Sequence, residues 1–368
     1  MYSYAFISIQ QGHCHPRLVK AMVEQSCKLT LTSRAFHNST LGPYAEFVTK
    51  YFGYDRMLPM NTGVEAGETS IKAARKWGYM VKGIPPNKAR VIFMRDNFWG
   101  RSIAAVSSSS DPESYTDYGP FTPGFTLVPY DDIPALEKEL QDANVAAVYL
   151  EPIQGEAGVK IPSSGYLKKV RELTKARNVL MIADEIQTGL GRTGKLLACD
   201  YDGVKPDVLV LAKALSGGMM PVSVVLSSDQ VLGVFKPGTH GSTYGGNPLG
   251  CAIAMEALQI IKDENLVENS FQMGALFRSE VQQQLRQYHW VKEVRGKGLL
   301  NAIEISSTSK IPAWDVCMRL AEKGLLAKPT HSTIIRLAPP LVINKEQIME
   351  SAHIISTVFA EINGKQGH

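Results

Sequence analysis

The chain has 368 residues, 44% of them hydrophobic and 20% charged, with 39 Lys and Arg set against 35 Asp and Glu. That length gives room for about two domains with a sizeable core, and the composition excludes a disordered, collagen-like or disulfide-built protein. A net charge of +4 without a basic tract gives no ground for nucleic acid as a partner. No apolar run approaches the ~18 residues of a membrane span, so no membrane partner is expected either. Five scattered cysteines, Cys14, Cys27, Cys199, Cys251 and Cys317, read as free thiols of a reducing compartment. The segment Met1–Ile9 has no basic n-region, no small-residue cleavage site and no Arg-rich amphipathic character, and no targeting signal is read in it.

In chain order, helices are expected at Pro16–Lys28, Pro43–Tyr51 and Glu65–Met80, the last with Ile71, Ala74 and Trp77 on one face. Short apolar runs rich in β-branched residues follow at Ala89–Met94, Val145–Leu150, Val179–Ala183, Asp207–Leu211 and Val222–Leu226. Such runs suit strands buried on both faces of a parallel sheet, with helices such as Ile133–Gln141 and Gly165–Ala176 as crossovers. Ser107–Ser110 with Asp111-Pro112 reads as a loop. This rhythm predicts an α/β doubly wound large domain over residues 1–253. Beyond it, helices at Cys251–Asp263, Val267–Arg286, Trp314–Lys323 and Lys345–Glu361 and strands at Val291–Val294, Leu300–Ile305 and Ile334–Leu337 predict a smaller α+β domain over 254–368.

Several short motifs invite a reading that their surroundings deny. Gly189-Leu-Gly191-Arg-Thr-Gly194-Lys195 satisfies G-x-G-x-x-G and most of a phosphate-binding loop. Leu196 stands where a magnesium-binding Ser or Thr belongs, and no helix can open at these glycines. A Gly-rich turn beside a site is the better reading. His13-Cys14-His15 looks like a metal cluster, but no second set of Cys or His ligands lies at zinc spacing, so no metal is expected. His240, in Gly238–Thr243, suits a loop histidine capping a turn better than a general base.

One constellation stands apart. Val179–Asp184 and Asp207–Lys213 are buried strands ending in Asp184 and Lys213, and in a parallel sheet the carboxyl ends of neighbouring strands open on one ligand crevice. A buried lysine is driven toward the neutral amine that attacks carbonyl carbon. An acidic partner beneath it suits pyridoxal phosphate, whose ring nitrogen must stay protonated. Two segments could hold the phosphate: the helix start Asn61–Glu65 and the Gly-rich run Gly241–Asn247.

These residues carry a resemblance. Asn61-Thr-Gly-Val-Glu-Ala-Gly-Glu68, Glu151-Pro-Ile-Gln-Gly-Glu156, Ala183-Asp-Glu-Ile-Gln-Thr-Gly189, Lys213-Ala-Leu-Ser-Gly-Gly218 and His240-Gly-Ser-Thr-Tyr-Gly-Gly-Asn-Pro248 resemble the class III aminotransferases. Leu31–Phe36, Arg295–Ala302 and Ala327–His331 are similar to the ornithine-using branch of that family, and the likeness runs from Gln11 onward.

The resemblance implies a fold type I pyridoxal-phosphate enzyme, homodimeric with a shared active site, assembly beyond the dimer being left open. Lys213 would hold the cofactor covalently and move the substrate proton; Asp184 would pair with the ring nitrogen and Gln187 with the ring hydroxyl. Thr62, Gly63 and Val64 would bind phosphate, joined by Ser242 and Thr243 of the second subunit, with Phe98 and its neighbour Trp99 at the ring. The substrates implied are L-ornithine and 2-oxoglutarate, giving glutamate and glutamate 5-semialdehyde. Arg101 would bind the distal carboxylate and Arg336 the α-carboxylate of the keto acid, with Glu156 neutralising Arg336 during the ornithine half-reaction. Phe6 falls where the ornithine enzymes place a pocket tyrosine, and a further N-terminal segment of the family is not found here. Acetylornithine or 4-aminobutyrate as amine donor, and a catalytically impaired form, stay open as alternatives. The family occurs in the mitochondrial matrix and the cytoplasm.

Overall fold

A computed structural model of the chain describes residues 2–3, 9–309 and 311–366. Its centre is a seven-stranded sheet: β1 (Arg56–Met60), β2 (Arg90–Met94), β3 (Phe125–Val128), β4 (Val145–Leu150), β5 (Leu180–Asp184), β6 (Val208–Leu211) and β7 (Ser223–Ser227). The spatial order is β1-β7-β6-β5-β4-β2-β3. Every residue of β4, β5, β6 and β7 is buried, as continuous apolar runs covered by helices on both faces must be. This is the α/β large domain expected.

The sheet departs from a purely parallel one at β7, which runs antiparallel to both β6 and β1. Between β6 and β7 the chain makes only a four-residue 3-10 turn, Lys213–Ser216. A parallel return needs a crossover of a dozen or more residues, usually a helix, so the strand comes back antiparallel. Two strands escaped the sequence pattern, β1 and β3, and they are the two edges. Pro59 sits within β1, where only an edge position tolerates it. The segment beyond Ser102 holds two single-turn helices, Ile103–Val106 and Pro112–Tyr115, around the expected loop.

Helix starts follow from local chemistry. Thr62 and Glu65 form a reciprocal capping box at the helix Gly63–Trp77. Asn247 caps Pro248–Asp263, with its side chain accepting from the Gly250 amide at 2.8 Å and a proline in the first turn. His15 does the same for Pro16–Ser26. Its Nδ1 accepts from Arg17 N while Nε2 donates to Glu264 Oε1 at 2.9 Å, so both ring nitrogens of the histidine are spent.

The second unit is a four-stranded antiparallel sheet of β8 (Val291–Lys297), β9 (Leu300–Ile305), β10 (Lys328–Thr330) and β11 (Ile334–Leu337), in the order β10-β11-β9-β8. Helices Leu266–Leu285 and Ala313–Glu322 pack on it, and Lys345–Gln366 packs on those two helices. The start of the chain also lies against this unit: Tyr2–Ser3 pairs in parallel with Leu325–Leu326, and Gln10 O accepts from Leu341 N at 2.7 Å. Among the described residues, no helix is long and apolar enough to cross a membrane.

Candidate active site

The sheet delivers its chemistry at the carboxyl ends of β4, β5 and β6. Asp184 is the last residue of β5 and Lys213 stands two beyond β6, in paired neighbouring strands. Asp184 is 3% exposed. Its Oδ2 accepts from the Tyr149 hydroxyl at 2.6 Å and its Oδ1 from the Ile186 amide at 3.0 Å. Burial pushes this carboxyl up, and those two donors act against it by stabilising the charged form. Burial pushes the Lys213 ammonium down; Asp184, Glu156 and Glu151 oppose the shift, while Arg336 adds to it. The Lys213 backbone is left-handed, φ +43°, a conformation a non-glycine residue holds only when its surroundings impose it.

Around this pair sit residues the sequence pattern did not single out. Tyr149 lies on β4 within a run read only as apolar, yet its hydroxyl orients Asp184. Glu151, one residue past β4, is 4% exposed. Its Oε2 accepts from the Phe98 amide at 3.0 Å, while Oε1 has no hydrogen-bond partner among the described residues. Burial, then Asp184, raises this carboxyl to about 8. Phe98 is thereby held by its main chain while its ring stays half-buried.

Trp99 is placed elsewhere than expected. Its ring is in the core, stacked on Phe93 with centroids 5.9 Å apart, and its Nε1 donates to Ser108 Oγ at 2.8 Å. A Cβ on Gly67 would come within 2.7 Å of that indole, so the glycine lets the helix Gly63–Trp77 lie directly on it. The Trp99 indole is thereby fixed in the core beside Phe93 and Tyr149, next along the chain to Phe98.

The two phosphate segments meet. Thr62, Gly63 and Val64 open a fifteen-residue helix, and the preceding Asn61 donates from Nδ2 to Ser242 Oγ at 3.0 Å. Ser242 and Thr243 line a cavity of their own with Leu31–Arg34, outside the cleft that holds Phe98 and Arg101. His240 ties this loop to the helix, bonding Thr69 Oγ1 through Nε2 and Lys72 Nζ through Nδ1, both at 2.9 Å.

The mouth is a cleft of about 690 Å³ lined by Phe98, Arg101, Glu156, Lys328 and the segment Pro329–Ser332. Arg101 is exposed, its guanidinium 5.9 Å from the Phe98 ring centroid. Arg336, on β11, is 4% exposed and reaches across from the small sheet. Its Nη1 donates to Glu156 Oε1 at 2.7 Å and to Gln187 Oε1 at 3.3 Å. Lys328 Nζ takes the other Glu156 oxygen at 2.9 Å. Burial alone would raise Glu156; Arg336 and then Lys328 overcome it and hold the carboxyl at about 2. Phe6 lies outside the described residues.

The donor set fits a phosphorylated pyridine aldehyde. Gln187 Nε2 is buried without a partner, Lys213 Nζ makes no hydrogen bond among the described residues, and a buried carboxylate stands ready for a ring N–H.

Comparison with known proteins decides the family. The model of the aminotransferase class-III family matches residues 2–359. The chain belongs to the class III aminotransferases. It is 61% identical over 354 residues to the mitochondrial ornithine aminotransferase of Drosophila melanogaster, covering 96% of this chain and 81% of that one. The ornithine aminotransferase of Toxoplasma gondii, in whose structure pyridoxal phosphate partly occupies the active site, superposes with a TM-score of 0.97 at 52% identity, covering 98% of this chain and 86% of that one. The acetylornithine aminotransferase of Elizabethkingia anophelis follows with a TM-score of 0.88 at 50% identity, covering 98% and 89%. This class III chain is therefore a pyridoxal-phosphate-dependent aminotransferase.

Proposed function

We propose that the chain is an ornithine δ-aminotransferase, moving the terminal amino group of L-ornithine to 2-oxoglutarate. The observation that carries this reading is the pair of buried Arg336 with half-buried Glu156 at the mouth. An enzyme that alternates between an amine whose reacting carbon bears no carboxylate and a keto acid that has one there needs an arginine that can be masked and unmasked. Glu156 masks Arg336 for ornithine; when the keto acid enters, its α-carboxylate takes the guanidinium, and Lys328 keeps the displaced Glu156 paired. Arg101, exposed across the cleft, takes the distal carboxylate of the keto acid.

Pyridoxal phosphate, when bound, supplies an electrophilic carbonyl carbon and a ring that accepts the electrons released at the substrate carbon. The chain's own residues do the rest. Lys213, pushed toward the neutral amine by burial, would hold that carbon covalently and, once released, would move the substrate proton at its Nζ. Asp184, oriented by Tyr149, keeps the ring nitrogen protonated. Gln187 Nε2 donates to the ring hydroxyl, and the amides of Gly63 and Val64 hold phosphate at the helix start beside Thr62. Phe98 covers the ring. Ser242 and Thr243 complete the phosphate site of a second copy, so the working unit is a homodimer. The division into a large domain over 1–253 and a small one over 254–368 is proposed with it, Tyr2–Ser3 and the Gln10 carbonyl bonding to the latter. The mitochondrial Drosophila relative supports the matrix as compartment.

The test is the visible spectrum of the chain loaded with pyridoxal phosphate. A yellow band that bleaches on adding L-ornithine alone and returns with 2-oxoglutarate supports the reading. The Elizabethkingia likeness favours one other amine: a band that ignores ornithine and bleaches with acetylornithine moves the substrate there.

A further inference from the structure

The turn Gly189–Lys195 carries the largest fully buried side chain among the described residues, Arg192 at 0% exposure. Its guanidinium lies between the two sheets. Nη1 donates to the carbonyls of Leu299, at 3.2 Å, and Pro339. Nε and Nη2 have no hydrogen-bond partner, and no carboxylate pairs with this side chain among the described residues. Its own main chain is gripped in return: Arg192 O accepts from Leu299 N at 3.0 Å and from Ser270 Oγ at 3.1 Å. The contact is as close as backbones allow, for a Cβ on Gly298 would fall 2.2 Å from the Thr193 carbonyl carbon.

Stability does not account for this arginine. A buried guanidinium without a counter-ion is costly, and an apolar side chain of similar volume would fill the seam as well or better. What distinguishes Arg192 is its neighbour in charge. Pro339 follows Arg336 by three residues, and Arg336 is the charge that acts on Arg192, lowering it to about 9 together with burial. Arg336 is paired with Glu156; Arg192 is paired with nothing. Two buried guanidinium groups thus serve one seam, and among the described residues only Arg336 has a carboxylate partner.

We propose that Arg192 is a positioning residue for keto-acid binding: by clamping the Leu299 and Pro339 carbonyls to the large domain it fixes the strand that presents Arg336, and its uncompensated charge draws an incoming carboxylate to that site. The proposal rests on the reading of Arg336 given above. It assigns Arg192 to one half-reaction only, because ornithine is handled with Arg336 masked.

The experiment measures both half-reactions separately in the holoenzyme, by single-turnover absorbance, for wild type, Arg192→Lys and Arg192→Met. Arg192→Lys should weaken apparent 2-oxoglutarate affinity about tenfold and Arg192→Met about a hundredfold, each tenfold step being about 1.4 kcal/mol. Cofactor retention and the ornithine half-reaction should stay within about twofold. Equal losses in both halves, as a merely structural residue would give, or no change in either, overturn the proposal. If neither variant yields holoenzyme, Ser270→Ala carries the test, since it removes one of the two hydrogen bonds to the Arg192 carbonyl without touching the guanidinium. A two- to threefold loss confined to 2-oxoglutarate supports the proposal, and an equal loss or none sinks it. A wild-type chain that reacts with ornithine but ignores 2-oxoglutarate overturns the functional reading and this proposal together, whereas a wild type that completes both halves leaves the variants to judge Arg192 alone.

Discussion

The cofactor floor and the substrate mouth are built on opposite plans. The floor, Asp184, Tyr149, Glu151 and Lys213, hangs from three adjacent strands of one sheet, and its acidic groups are nearly sealed from water. The mouth is assembled from two sheets and loops: Arg101 and Glu156 from the large unit, Arg336 and Lys328 from the small one. A floor has one task throughout the reaction, and rigidity fixes its protonation states. A mouth that must accept two unlike substrates needs a contact that can exchange, and an ion pair spanning two units is such a contact. Changes in the floor should therefore disable both half-reactions alike, and changes in the mouth should separate them.

The largest effect tests the floor. Lys213→Ala removes both the covalent anchor and the proton carrier, and kcat should fall by roughly 10⁴-fold or more; rapid-quench assays of each half-reaction should show equal loss. A loss in one half only would break the contrast. Asp184→Asn keeps the shape and removes the charge that holds the ring nitrogen protonated, and about a 10²–10³-fold fall is expected, again in both halves. Single-turnover traces with ornithine and with 2-oxoglutarate decide that.

How much of this contrast was legible in the sequence differs for the two regions. The floor was readable because its logic is local: two apolar strands ending in Asp184 and Lys213 need only the rule that parallel strands open at their carboxyl ends. The edge strands β1 and β3 were invisible because edges lack the fully apolar signature, and the antiparallel course of β7 within a mostly parallel sheet was not legible because direction depends on crossover length. Glu151 and Lys328 stood inside quoted motifs without a role, since a single orphaned oxygen or a second cation on Glu156 exists only in three dimensions. Trp99 was placed by adjacency to Phe98, and its stacking on Phe93 and bond to Ser108 could not be read from the chain. Arg192 was passed over because its motif was read only as a Gly-rich turn beside a site, and the carbonyls it binds come from a distant part of the chain.

Breaking the mouth should give a smaller and one-sided result. Glu156→Ala leaves Arg336 bare, so the ornithine half-reaction should slow by about ten- to a hundredfold, the loss of one charge-assisted pair, while the 2-oxoglutarate half-reaction holds or quickens. An unchanged ratio of the two rates would make the pair permanent and structural. The same variant bears on acid stability. Glu156 titrates at about 2 in the folded chain against 4.5 ordinarily, so its stabilisation is complete above 4.5 and is lost as pH falls toward 2. Denaturant melts across that window should be steeper for wild type than for Glu156→Ala.

The smallest effect concerns Glu151, which belongs to the floor but touches it through Phe98. Its carboxyl is raised to about 8, so the folded chain holds a proton there that the unfolded chain releases near 4.5. This stabilisation is full below 4.5 and is lost as pH rises through 8. Glutamine reproduces the protonated acid: its carbonyl can accept from the Phe98 amide, and its NH₂ stands where the acid proton would be. Glu151→Gln should therefore retain cofactor within about twofold of wild type and lose the wild-type decline in thermal midpoint between pH 4.5 and 8. Glu151→Ala, which leaves the Phe98 amide without its buried acceptor, should cost about 1–3 kcal/mol and release cofactor faster in dilution assays. If the Gln variant lets cofactor go as readily as the Ala variant, the charge of Glu151 is what the floor needs, and rigidity of the Phe98 loop is not how the floor is kept.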